Sequence, residues 1–197
     1  KKDACPACGA CSFMGTASTM QVMAESLGIA LPGSALIPIH IPYLKEISYI
    51  AGQRAVELGK EELLPSEILT IDAFKNAITI HAAIAGSSNS LLHLPAIAHE
   101  LDIQLPPDLF DEIHEQTPFL LNIRPSGYWP GEYFWYAGGV PAIMEELKDH
   151  LNLDVKTVTG KTLGENLEDI RQNGFYNECR SHLTVHGITV EDIIKPH

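Results

Sequence analysis

Apolar positions recur at helical spacing along most of the chain. Met20, Met23, Ala24 and Leu27 fall close to a 3.6-residue period and Gly28 follows as a stop, so a helix is expected over 16–27. Residues 31–42 contain Pro32, Gly33, Pro38 and Pro42 and read as an extended linker. A second helix is expected over 43–60, with Leu44, Ile47, Ile50, Ala51 and Leu58 on its inner side. Pro65 and Ser66 mark a turn, and Thr70 is placed to cap a helix over 71–85. Gly86, Ser87, Ser88 and Asn89 interrupt that pattern. Asn89 or a neighbouring serine then caps a helix through Leu91, Leu92, Ile97 and Leu101, with Pro95 in its first turns.

Pro106 and Pro107 break the chain, and 108–116 reads as a short helix. The apolar run 119–123 is expected to be a buried strand, and 154–158 a second one. Between them lie an aromatic, turn-rich stretch over 124–139 and a helix over 140–150. Thr159 or Thr162 caps a helix over 163–172. Beyond Gly174 the pattern weakens, and a strand over 183–185 with a turn at 190–194 is expected. The sum is a helix-rich α/β fold with a few-stranded sheet. No repeat or boundary divides it, so 1–197 reads as a single domain.

Composition narrows the classes. With 45% hydrophobic residues in 197, a packed core is expected rather than disorder. No apolar run reaches bilayer length, and no leader opens the chain, so a cytoplasmic protein with no membrane partner is expected. The start at Lys1, close to the richest motif, suggests an internal piece of a larger protein. The net charge of −12 and the lack of a basic patch argue against nucleic acid. An anionic substrate would need a metal, a helix N-terminus or a few placed cations to be held.

Three of the four cysteines, Cys5, Cys8 and Cys11, fall within seven residues; Cys179 stands apart. Without a secretory signal, such a cluster favours a metal or redox site over disulfides. Soft thiolates suit iron or zinc, and the small neighbours Ala7, Gly9 and Ala10 allow a tight turn around an inorganic core. A ferredoxin-like loop and a zinc site both remain open on spacing, although zinc lacks a fourth ligand; three reduced thiols are the plain alternative.

The segment Gly9–Ala10–Cys11–Ser12–Phe13–Met14–Gly15–Thr16–Ala17–Ser18–Thr19–Met20 resembles a signature of the dihydroxy-acid and 6-phosphogluconate dehydratase family. Further resemblances follow in order: Leu31–Pro32–Gly33, Gly86–Ser87–Ser88–Asn89 leading into Leu92–His93–Leu94, Arg124–Pro125–Ser126–Gly127, Ala137–Gly138–Gly139–Val140–Pro141, and the run from Thr157 through Gly160, Lys161 and Gly164 to Leu167. Together they run from about Ala4 to Leu167.

The resemblance implies a part of the family's N-terminal, cluster-binding domain. It implies a hydro-lyase that turns a 2,3-dihydroxy carboxylate, here a sugar acid, into a 2-keto-3-deoxy acid. Its iron–sulfur cluster, 2Fe-2S in the best understood branches, acts as a Lewis acid on a substrate hydroxyl, and Mg2+ holds the carboxylate side. Cys11 takes the place of the third cluster ligand, whereas Cys5 and Cys8 are not expected to be ligands. The other ligands, the magnesium residues and the catalytic serine lie in segments outside this chain. No catalytic residue is therefore assigned, and the chain alone is expected to lack turnover and a stable cluster. Homo-oligomerisation of the full-length protein is a family expectation. Ala17 followed by Ser18 looks more like the xylonate-type, sugar-acid branch than the amino-acid biosynthetic branch.

Other residues carry paired readings. Ser12 and Thr16 flank the cluster ligand and are candidates for substrate or cluster-sulfur contact, while Thr16 equally suits a helix cap. His93 reads as a core histidine. Thr159–Gly160–Lys161–Thr162 resembles part of a phosphate loop, but Val155 stands where a Walker A glycine is needed. Arg124–Pro125–Ser126–Gly127 offers a cation to a carboxylate or simply turns the chain. Two rivals remain: a non-catalytic remnant of the fold, and an electron-transfer protein using Cys5, Cys8 and Cys11.

Overall fold

The computed structural model describes residues 11–195, and helices account for nearly all of its regular structure. Ten α-helices follow in order: α1 (Thr16–Ser26), α2 (Tyr43–Glu61), α3 (Pro65–Ile68), α4 (Ile71–Ala83), α5 (Ser90–His99), α6 (Pro107–Gln116), α7 (Glu132–Tyr136), α8 (Gly139–Glu146), α9 (Leu163–Gln172) and α10 (Phe175–Val185). A 3-10 turn, Lys148–His150, follows α8.

α4 lies at the centre, packed against α1, α6 and α8. Phe74, Ala77, Ile78 and Ile80 of α4 are fully buried, as are Val22 and Met23 of α1 and Val140 and Ile143 of α8. Around this centre, α7 lays Phe134, Trp135 and Tyr136 into the same continuous core, and α10 adds Cys179 and Leu183. The start signals act as expected in two places. Thr70 accepts the Ala73 N–H at 3.3 Å at the head of α4. Thr162 and Glu165 form a reciprocal capping box on α9, with the Thr162 N–H held by Glu165 at 2.8 Å.

The α/β expectation is corrected. Among the described residues there is no ladder, only isolated bridges at Leu121–Ile194, Ile123–Trp129 and Lys156–Thr162. The run 119–123 meets its neighbours only through the single bridges to Ile194 and Trp129, and no regular ladder grows from them. The Leu120 and Leu121 N–H groups both go to the Ala83 carbonyl at the end of α4, and Asn122 N–H goes to Ile193. The run 154–158 closes a turn instead, with Leu163 N–H on Val155 and Thr157 N–H on Lys161. The expected strand over 183–185 is the last turn of α10. Gly174 opens that helix with φ +86°, and Phe175, Cys179 and Leu183, four residues apart, bury one stripe of it.

Three further differences have local causes. Residues 132–136, within the turn-rich stretch, form α7. Pro95 sits in the interior of α5 rather than its first turns. α2 buries only Ile47, and Ile50 and Ala51, expected inward, are exposed. That helix is tied back by Arg54, whose Nε donates to the Val158 carbonyl at 2.6 Å and whose guanidinium pairs with Glu57 and Glu61. Among the described residues, no helix is long and apolar enough to cross a membrane.

Candidate functional site

The segment 11–15 forms a turn that delivers the chain into α1. Its backbone is closed by a second loop, 124–131. The Met14 N–H donates to the Arg124 carbonyl at 2.6 Å, and the Gly131 N–H to the Ser12 carbonyl at 2.9 Å. The two loops approach so closely that a Cβ at Gly131 would lie 3.0 Å from the Cys11 carbonyl oxygen. A side chain at position 131 would therefore crowd the Cys11 backbone, and glycine leaves the contact unstrained. Met14 is buried beneath the turn, while Cys11 and Ser12 stay half-buried at its mouth, and Cys11 is a free thiol.

The start of α1 is where the paired readings of Thr16 separate. Gly15, not Thr16, is the N-cap, and no side chain caps the helix. The cap reading of Thr16 is thus corrected. Its hydroxyl instead accepts the Asn89 Nδ2–H at 2.6 Å and lies 3.3 Å from Ser87 Oγ. Thr19, one turn on, accepts the Ser87 N–H at 2.9 Å. The loop 86–89 is thereby bound along the first turn of α1. Asn89 occupies the N-cap position of α5, but its side chain makes no cap bond there because it reaches Thr16.

Electrostatics at this end are simple. The uncapped N–H groups of α1 leave the positive end of a helix dipole facing the Cys11 turn, which favours negative charge in front of it. Glu132, next to Gly131, is half-buried, and burial raises its carboxyl above the usual range while His40 opposes the rise. Tyr136, on the same helix, is pushed up to about 12 by burial, and its hydroxyl pairs with His40 Nε2 at 3.1 Å.

The remaining candidates lie elsewhere. His93 is exposed, so its core reading is corrected. Arg124 donates from Nε to the Tyr128 carbonyl at 2.9 Å, within its own turn, and a Cβ at Gly127 would collide with the Asn122 backbone at 2.3 Å. The structural reading of that motif holds. In the segment 159–162, Thr159 and Thr157 bond with the buried Asn166, and Lys161 pairs with Asp169. These contacts organise the entry to α9. Cys179 is buried on α10, and burial pushes its thiol up. Cys5 and Cys8 lie outside the described residues.

Whether these groups suit an iron–sulfur cluster is a question of donor count. Among the described residues, no three His, Cys, Asp or Glu side chains are grouped to hold a metal. Cys11 fits one corner of a cluster: a soft, half-buried sulfur whose backbone lies against Gly131. It does not form a cage by itself. Sequence reasoning missed the partners of Thr16. The run Gly86–Asn89 is recognisable as a motif and as a break and cap between helices, but nothing in it points to Thr16.

Comparison with known proteins gives a consistent result. Residues 1–166 match a family model described as dihydroxy-acid/6-phosphogluconate dehydratase N-terminal. A dihydroxy-acid dehydratase of Caldicellulosiruptor saccharolyticus is 46% identical over 182 residues, covering 91% of this chain and 33% of that protein. Those of Caldanaerobacter subterraneus subsp. tengcongensis and Methanosarcina barkeri are 42% and 44% identical, covering 87% and 84% of this chain and 31% and 30% of theirs. The chain thus spans about a third of the length of the curated relatives it matches.

Proposed function

The chain belongs to the dihydroxy-acid/6-phosphogluconate dehydratase family, and we propose that it is the part of such a hydro-lyase that presents one thiolate, Cys11, to an iron–sulfur cluster. The observation that carries the reading is the half-buried free thiol of Cys11, in the turn that leads into α1 and with its backbone packed closely against Gly131. The remaining cluster ligands and those for Mg2+ come from outside the described residues. Residues 1–197 form one domain in this reading, in keeping with the continuous core.

The substrate is a 2,3-dihydroxy carboxylate, which loses water to give a 2-keto-3-deoxy acid. A cluster of the 2Fe-2S kind, when bound, supplies a Lewis acid for the departing hydroxyl. This chain's own groups orient and exclude. Asn89 donates to the Thr16 oxygen, which leaves the Thr16 hydroxyl proton to donate onward, to Ser87 or to a substrate oxygen. Ser12 lies beside it at the mouth of the turn. The dipole of α1 favours the carboxylate or the thiolate in front of the helix.

The sugar-acid branch is the narrower substrate reading, carried by Ala17 and Ser18. Ser18 is buried and donates to the Phe13 carbonyl at 3.1 Å, so it serves the turn rather than a ligand. The similar proteins of Caldicellulosiruptor saccharolyticus and Caldanaerobacter subterraneus, both dihydroxy-acid dehydratases, favour the broader class of dihydroxy acids. The whole enzyme works in the cytoplasm as a homo-oligomer in this reading.

The test uses a polypeptide carrying this chain joined to the remainder typical of its relatives. Iron, sulfide and turnover are measured with branched dihydroxy acids and aldonic acids, with and without magnesium. Cys11→Ser is expected to lose cluster and turnover together, and retention of both overturns the assignment. Replacing Cys5 and Cys8 by serine separates the electron-transfer rival, which would lose its cluster. A complete polypeptide with no turnover on any of these acids supports the non-catalytic rival.

A further inference from the structure

Behind the Thr16–Asn89 contact stands a pair of histidines from two other helices. His81, buried in the last turn of α4, directs Nε2 to the Ser87 carbonyl at 3.1 Å. Its Nδ1 meets Nε2 of His114, in the last turn of α6, at 3.1 Å, and the two rings stack with centroids 5.2 Å apart. The His81 ring also presses on the loop: a Cβ at Gly86 would lie 2.5 Å from His81 Cδ2.

These contacts fix the tautomers. A carbonyl only accepts, so His81 Nε2 carries its proton and Nδ1 presents a lone pair. His114 Nε2 must then donate. The Ser87 peptide is thus gripped on both sides, its N–H by Thr19 of α1 and its carbonyl by His81 and by the Ser90 hydroxyl at 2.7 Å. Its own hydroxyl and the following Asn89 are the groups that meet Thr16.

We propose that His81 and His114 are positioning residues: the chain α6–α4–Ser87 sets where the Asn89 amide, and with it the Thr16 hydroxyl, stands relative to the Cys11 turn. The histidines touch neither Thr16 nor Cys11 in any contact described above, and they act through the loop. Burial holds both imidazoles below the ordinary histidine range, with Asp111 on α6 drawing His114 the other way, so the neutral, directional pair persists at neutral pH. The hydroxyl's role in dehydration rests on the proposed function; the grip on the loop does not.

The experiment separates the two. His81→Gln places an amide donor near the Nε2 position, and His81→Leu has similar bulk but no donor. Amide hydrogen exchange of Ser87 and Asn89 is followed in this chain. The leucine variant is expected to lose about tenfold in protection there, the scale of one hydrogen bond, while α1 core amides are unchanged and the glutamine variant recovers most of the loss. Equal protection in both variants overturns the proposal. If His81→Leu does not fold, His114→Leu, which removes the donor to Nδ1, decides by the same two amides. In the complete polypeptide the leucine variant is expected to lower kcat more than it raises KM. A complete wild-type polypeptide without turnover defeats the function, not the grip.

Discussion

Glu25 Oε1 accepts the Gly33 N–H at 2.6 Å, and through this bond a buried carboxyl on α1 holds the start of the following linker. The second oxygen accepts Ala35 N–H at 2.8 Å. Gly33 is held again by Trp135, whose Nε1–H donates to its carbonyl at 3.1 Å. Glu25→Ala should therefore leave two buried donors without partners and cost about 2–4 kcal/mol of stability, read from urea denaturation.

The same carboxyl gives a pH dependence. Burial pushes Glu25 up to about 7, against the backbone N–H groups of Ala35, Gly33 and Ser34 that pull it down. The folded state then holds a proton that the unfolded chain has released. This group's contribution is fully present below pH 4.5 and is lost as pH rises through about 7. Subtracting the Glu25→Gln profile from the wild-type profile should expose a falling slope in that window. A flat difference would show the carboxyl to be ionised throughout.

Gly33 has φ +77°, and a Cβ there would lie 2.5 Å from Phe175 Cε2. Gly33→Ala combines backbone strain with a collision against a buried ring. A loss of about 1–3 kcal/mol is expected, with the melting temperature as readout.

Thiol labelling should divide the two described cysteines. Cys11 is half-buried and should react with iodoacetamide in the native chain, whereas Cys179, buried with its thiol pushed up, should react only after denaturation. Peptide mapping by mass spectrometry distinguishes them.

The capping box of α9 predicts a modest, local effect. Thr162→Ala should cost about 1 kcal/mol, and Thr162→Ser should restore most of it, as measured by thermal unfolding.

What was legible in the sequence followed from local physics. The 3.6 spacing of Met20, Met23 and Leu27, the caps Thr70 and Thr162, and the breaks at Pro106 and Gly28 each act within a few residues, and the helices they imply are present. The absence of a sheet was not legible, because the apolar run 119–123 does not reveal what takes its hydrogen bonds, and here they are divided among the end of α4 and short stretches at 129 and 193–195. The missed α10 was recoverable from Phe175, Cys179 and Leu183. The inward side of α2 was misjudged because spacing tells which residues share a face, not whether anything covers it. At the site, Cys11, Ser12 and Thr16 could be named from the motif. The Thr16 partners Ser87 and Asn89, and the histidines His81 and His114 behind them, lie far along the chain, and only the packing of α1, α4 and α6 joins them.

α1 holds one loop near its start, through Thr16 and Thr19, and another near its end, through Glu25. The helix is therefore a spacer of set length and phase between them. One residue inserted between Thr19 and Glu25 would advance one grip by about 1.5 Å and swing it by about 100° relative to the other. Both loops could not then stay docked, so this stretch should accept exchanges of side chain far more readily than any change in its count of residues.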